Sequence, residues 1–127
     1  MFNFFRPGYV PANTAIADAA LVAPEFQITN ESSVVGYVNF MQRAVAGNLG
    51  DITPDFASLL PLTDDAPALV AEINLVLTAN QVSAATVAAF AGAVQTMPGG
   101  AADANRRRRI HAALVLVLAA PEFIVQR

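Results

Sequence analysis

The chain has 127 residues, a formal net charge of −3, a hydrophobic fraction of 55% and no cysteine. Its length supports one modest core, with roughly two-thirds of the unfolded chain's surface buried on folding. The missing cysteines exclude disulfides, thiolate nucleophiles and thiolate metal sites. A mean hydropathy of +0.48 exceeds what a solitary soluble domain needs, even though small alanines supply much of it, so some apolar surface is expected to meet another protein segment.

In chain order, Met1 to Pro7 lacks a basic region followed by an apolar run, and reads as no signal peptide. Residues 6–24 are punctuated by Pro7, Gly8, Pro11, Asn13 and Pro24. Only Ala15 to Leu21 can form a turn or two of helix, so residues 1–30 are expected to be an extended segment packed on a helical domain of residues 31–127. Asn30 is placed to cap a helix from Glu31 to Ala46, with Val34, Val38, Met41 and Val45 on its buried face and Gly47 as its stop.

Thr53 and Pro54 predict a short helix ending at Leu60, before Pro61. A third long helix is expected from Thr63 or Asp65 to Ala79, burying Leu69, Ile73, Val76 and Leu77. Ser83 caps the next, whose stripe is Val87, Phe90, Ala91, Val94 and Met97 before Pro98-Gly99-Gly100. The last runs from Ala104 to Ala119, begins from Asp103 and ends ahead of Pro121. With no alternating strand pattern, the fold class is all-α, a bundle of four to five helices. The apolar run from Ile110 to Ala120 is too short to span a bilayer and reads as a buried helix.

The phrase Ala-Pro-Glu-Phe occurs at Ala23 to Phe26 and again at Ala120 to Phe123. Physically, proline ends a helix or turn, Glu caps or pairs, and Phe plugs apolar space, so both copies are expected to be corner pieces. As an alternative, Phe26 and Phe123 anchor a docking surface. Together with the opening Phe2-Asn3-Phe4-Phe5-Arg6-Pro7, these phrases resemble the C-terminal end of the large bacterial proteins grouped as domain of unknown function 1800. Where that family's closing phrase carries Ser before the proline, this chain has Ala120.

The resemblance implies a C-terminal module of a longer, exported protein, contacting missing upstream domains or a member of the neighbouring unknown-function family 1501. With no phosphate-binding glycine loop and a single histidine, no cofactor is expected. The expected function is a non-catalytic structural or interaction module, with Phe2, Phe4, Phe5 and the last helix as its contacts to other sequence. The alternative is a part of an enzyme whose active site is mainly in upstream domains.

Charge is unevenly distributed. All seven basic residues are Arg, four of them at Arg106, Arg107, Arg108 and Arg109, while residues 44–105 hold six acidic groups and no basic one. Four consecutive helical residues spread over about 300°, so at least one guanidinium must lie against packed structure and find a partner. Arg106 and Arg107, three or four residues before Ile110, are expected there, with Asp103 nearest and the acidic middle as the wider counterpart. Net negative charge and the absence of interleaved aromatics argue against nucleic acid, and apolar residues all round the last helix argue against a membrane surface.

His111, the only histidine, reads as structural before it reads as a base or ligand. Asp51, Asp55, Asp64 and Asp65 lack the 12-residue spacing of a Ca²⁺ loop, and capping accounts for the last three. Ser32 and Ser33 lack a nucleophile-elbow context.

Overall fold

Helix starts and stops organise this protein, and the computed structural model describes them over residues 6–124. Phe2, Phe4 and Phe5, expected as contacts, lie outside the described residues. The elements are α1 (Ala15–Asp18), a 3-10 turn (Pro24–Ile28), α2 (Glu31–Val45), a second 3-10 turn (Leu60–Leu62), α3 (Ala66–Thr78), α4 (Ala84–Gln95), α5 (Asp103–Leu118) and α6 (Pro121–Ile124). The fold is all-α: among the described residues the sole strand-like pairing is an isolated bridge between Leu49 and Ile52. The chain divides into two units, Met1–Tyr37 and Val38–Arg127, with the division inside α2 and later than residue 30.

In the first unit, local polar groups do what a core does elsewhere. The Thr14 hydroxyl accepts from the Ala17 N–H at 3.3 Å and donates to the Pro11 carbonyl at 2.7 Å, which caps α1. The Ala23 N–H donates to the Tyr9 carbonyl at 2.9 Å and closes the loop between them. At the start of α2, Ser33 N–H donates to Asn30 Oδ1 and Asn30 N–H donates to Ser33 Oγ, both at 2.9 Å. Asn30 is therefore the cap that the sequence predicts, and Ser33 closes a reciprocal box with it. The expected buried face of α2 is realised only toward its C-terminus: Val34 is 49% exposed, Val38 and Met41 are half-buried, and Val45 is buried.

The second unit holds the core. Leu69, Val70 and Ile73 of α3, Ala91 and Val94 of α4, and Ile110, Ala113 and Val117 of α5 form one buried cluster with Ala66 and Val82. Small residues on α4 allow close approach, and Val87 and Phe90 pack at the margin. Asp65 caps α3 by accepting from the Ala68 N–H at 3.0 Å, and Ser83 caps α4 by accepting from the Thr86 N–H at 3.2 Å.

Three expectations are corrected here. Residues 53–59 do not form a helix; Asp55 Oδ1 accepts from the Ala57 N–H at 2.9 Å, and this local alternative competes with helical pairing. Pro61 then sits inside the 3-10 turn Leu60–Leu62, early enough that its missing N–H leaves no bond unmade. On α3, Val76 and Leu77, both expected to be buried, are 68% and 37% exposed, while Asn74 is buried. Asn74 explains the shift: its Oδ1 accepts from the Val82 N–H at 3.2 Å and its Nδ2 donates to the Val82 carbonyl at 3.4 Å. Thr78 Oγ1 bonds the Asn74 carbonyl at 2.7 Å and accepts from the Gln81 N–H at 3.1 Å. This polar network fastens the α3–α4 connection, where Ala79 and Asn80 take left-handed φ values of 50° and 65°.

Finally, Ala102 rather than Asp103 occupies the cap position of α5, without a side-chain bond. Asp103 lies in the first turn, where a carboxylate suits the helix dipole.

Candidate functional site

The arginine run opens α5, and the helix repeat decides which of the four is buried. Arg109 shares a face with Ala113 and Val117, beside Ile110, and is 6% exposed. Its Nη1 donates to the Thr63 carbonyl at 2.8 Å and its Nη2 to the Met97 carbonyl at 2.8 Å. A single guanidinium thus ties α5 to the turn before α3 and to the chain just beyond α4. The expectation that Arg106 or Arg107 would be the buried residue is corrected: Arg106 is half-buried and Arg107 and Arg108 are exposed.

The partner is corrected as well. Arg109 does pin α5 to the acidic middle segment, but through backbone carbonyls and not carboxylates. These carbonyls lie at the ends of helical turns, where accepting groups are otherwise left over. Among the described residues no ion pair joins Asp103 to Arg106 or Arg107. Asp64 has a different task from capping, accepting from the Gly100 N–H at 3.2 Å. Arg106 Nε and Arg109 Nε are buried without an acceptor.

Glycine makes the arrangement possible. A Cβ added to Gly99 would lie 2.7 Å from Arg109 Nη2 and 3.0 Å from its Cζ. Gly99 therefore serves as a floor beneath the guanidinium, in a segment that is not only a helix stop. The Gly99 carbonyl also accepts from Asn105 Nδ2 at 3.1 Å, which adds a second tie to α5.

His111 lies two residues beyond Arg109, and its ring meets Phe56 edge to face at 5.3 Å between centroids. Burial first, and the positive charge of Arg107 second, hold its pKa below the ordinary value of 6.5. The imidazole is therefore neutral at pH 7. Its other surroundings form a groove of about 500 Å³, lined by Val45, Ala93, Met97, Ala112, Val115 and Leu116 with Gln42, Arg108 and His111. This concavity has no sequence signature, because its walls come from α2, α4 and α5. The helical spacing of Arg108, His111, Ala112 and Val115 was the available signal.

A second groove, of about 710 Å³, runs between α3 and α4 and is lined largely by small residues such as Ala71, Ala84, Ala88 and Gly92. A third, of about 570 Å³, joins Leu75, Val76 and Leu77 to Glu122 and Phe123.

The two Ala-Pro-Glu-Phe phrases adopt one local form. In each, the alanine carbonyl accepts from the phenylalanine N–H, at 3.1 Å for Ala23 and Phe26 and at 3.0 Å for Ala120 and Phe123. Each proline thus begins a helical turn, and the helix before it has already ended, α1 at Asp18 and α5 at Leu118, as its expected role as a corner piece requires. Phe26 and Phe123 are both half-buried; Phe26 belongs to the first unit and Phe123 to the second. Glu122 Oε1 accepts from the Thr86 hydroxyl at 3.1 Å, so the second copy is linked to the start of α4.

Among the described residues no group of three potential ligands converges on a metal position, and no helix is long and apolar enough to cross a membrane. Comparison with protein-family models, with curated proteins and with solved structures finds no match for this chain.

Proposed function

We propose that this chain is a non-catalytic helical interaction module, the C-terminal part of a larger, exported bacterial protein of the kind it resembles. The observation that carries this reading is the apolar surface at the end of α3. Leu75, Val76 and Leu77 are 51%, 68% and 37% exposed, although the same helix has already filled the core with Leu69, Val70 and Ile73. Three adjacent aliphatic side chains left in water beside the groove that contains Phe123 suit a partner that covers them. The partner is the upstream part of the parent, or a protein of the neighbouring family numbered 1501.

The test is binding of the purified family-1501 protein, and of the parent's upstream segment supplied in trans, to the chain and to its Val76→Ser and Phe123→Ala variants. Binding that both substitutions weaken, with the helical signal and melting temperature retained, supports the module. Binding to neither polypeptide, or binding that both variants retain, overturns it.

One observation favours a second reading, in which the parent is an enzyme: the groove that brings His111 and Arg108 together. Loss of turnover in the full-length parent on His111→Gln, with the fold retained, decides for that alternative.

A further inference from the structure

We propose that the groove walled by the end of α2, α4 and α5 binds an amphipathic carboxylate, a medium-length alkyl chain headed by one anionic group. This site is separate from the α3 and Phe123 surface and does not depend on the docking reading.

The groove has a division of labour that matches such a ligand. Val45, Ala93, Met97, Ala112, Val115 and Leu116 make an apolar wall, while Gln42, Arg108 and His111 supply the polar groups. Its volume of about 500 Å³ falls within the range of small-molecule sites. Arg108 is exposed, and among the described residues it engages no carbonyl or carboxylate, in contrast with Arg109, whose Nη1 and Nη2 donate to the Thr63 and Met97 carbonyls. A free guanidinium fork beside an apolar wall recognises a carboxylate with two parallel hydrogen bonds.

Its neighbours favour a single negative charge. The neutral His111 imidazole offers one N–H without adding a second cation, and the Gln42 amide offers another donor. The chain as a whole is at −3, so attraction for an anion is confined to the arginine cluster. A cationic amphiphile meets Arg108 as a like charge, and a neutral one forfeits the charge-assisted bonds.

The experiment is a titration of the ¹⁵N-labelled chain with decanoate, decanol and decyltrimethylammonium, each below its micellar concentration, followed by ¹H–¹⁵N correlation spectra. Decanoate is expected to shift the amides of Val45, Ala93, Ala112, Val115 and Leu116 with an affinity at least tenfold above that of the other two probes. Arg108→Gln, which removes the charged fork, is expected to weaken decanoate at least about tenfold and to leave decanol unchanged. Ala93→Phe, which fills the groove from an exposed position of α4, is expected to abolish binding with the fold intact.

Equal affinity for the three probes overturns the proposal, as do shifts confined to the α3–α4 groove at Ala71 and Ala88 and full retention of decanoate binding in Arg108→Gln. An acidic amphipathic peptide that shifts the same amides where decanoate does not also overturns it, and makes this groove a protein-docking site.

Discussion

Gly99 and Arg109 share one small volume: the guanidinium carbon stands 3.0 Å from where a Gly99 side chain would begin. The contact couples a loop residue after α4 to the buried charge of α5. It sets the first prediction.

Gly99→Ala is expected to push the Arg109 guanidinium off the Met97 or Thr63 carbonyl and to destabilise the chain by about 1–3 kcal/mol, the cost of leaving a buried polar group unpaired. Urea denaturation measures it. Arg109→Met, which strands both carbonyls, is expected to cost about 2–4 kcal/mol. Because the two substitutions damage one interaction, the double variant is expected to fall short of the sum. Full additivity contradicts the coupling.

Arg107 is exposed and has no carboxylate partner among the described residues, so Arg107→Glu is expected to change stability by less than about 0.5 kcal/mol, as surface substitutions do. A melting temperature that drops by several degrees shows instead that Arg107 carries the link to the acidic middle.

The pH dependence follows from His111. Its pKa in the folded chain lies below 6.5, through burial and then through Arg107. The unfolded chain therefore takes up a proton first as pH falls. The stability that His111 allows is complete above pH 6.5 and is lost as pH falls through the folded-state pKa. An NMR titration of the imidazole is expected to show a midpoint below 6.5, and Arg107→Gln is expected to raise it. A His111→Gln variant should lack this component of acid sensitivity.

Asn74 pairs with both backbone groups of Val82. Asn74→Leu retains the volume but leaves the Val82 N–H and carbonyl without their side-chain partners, while Thr78 keeps the main-chain carbonyl of residue 74, at an expected cost of about 2–3 kcal/mol. Hydrogen exchange at Val82 and Gln81 is expected to accelerate before the rest of the core opens. Uniform exchange across α3, α4 and α5 excludes this local role.

The exposed aliphatics of α3 give the last prediction. Val76→Ser is expected to leave unfolding free energy within about 0.5 kcal/mol of the parent chain, because a side chain already in water contributes little to folding. A loss of 2 kcal/mol or more, as core truncations give, shows that Val76 is packed and removes the docking surface.

What this sequence determined by itself is local. Asn30, Asp65 and Ser83 cap helices because each acts on an N–H three residues ahead, within reach of its own side chain. The stripes of α4 and α5 are legible for the same reason, since a 3.6-residue repeat places Ala91 and Val94, or Ile110, Ala113 and Val117, on one face wherever the helix lies. The tertiary structure alone decided which arginine is buried and what it binds. Neighbouring helical residues point about 100° apart, and the choice of Arg109 depends on Thr63, Met97 and Gly99 arriving from distant parts of the chain. Buried Asn74 in place of Val76 has the same cause: its partner, Val82, is supplied by the next turn of the fold, and a satisfied amide can take a core position that hydrophobicity alone assigns to valine.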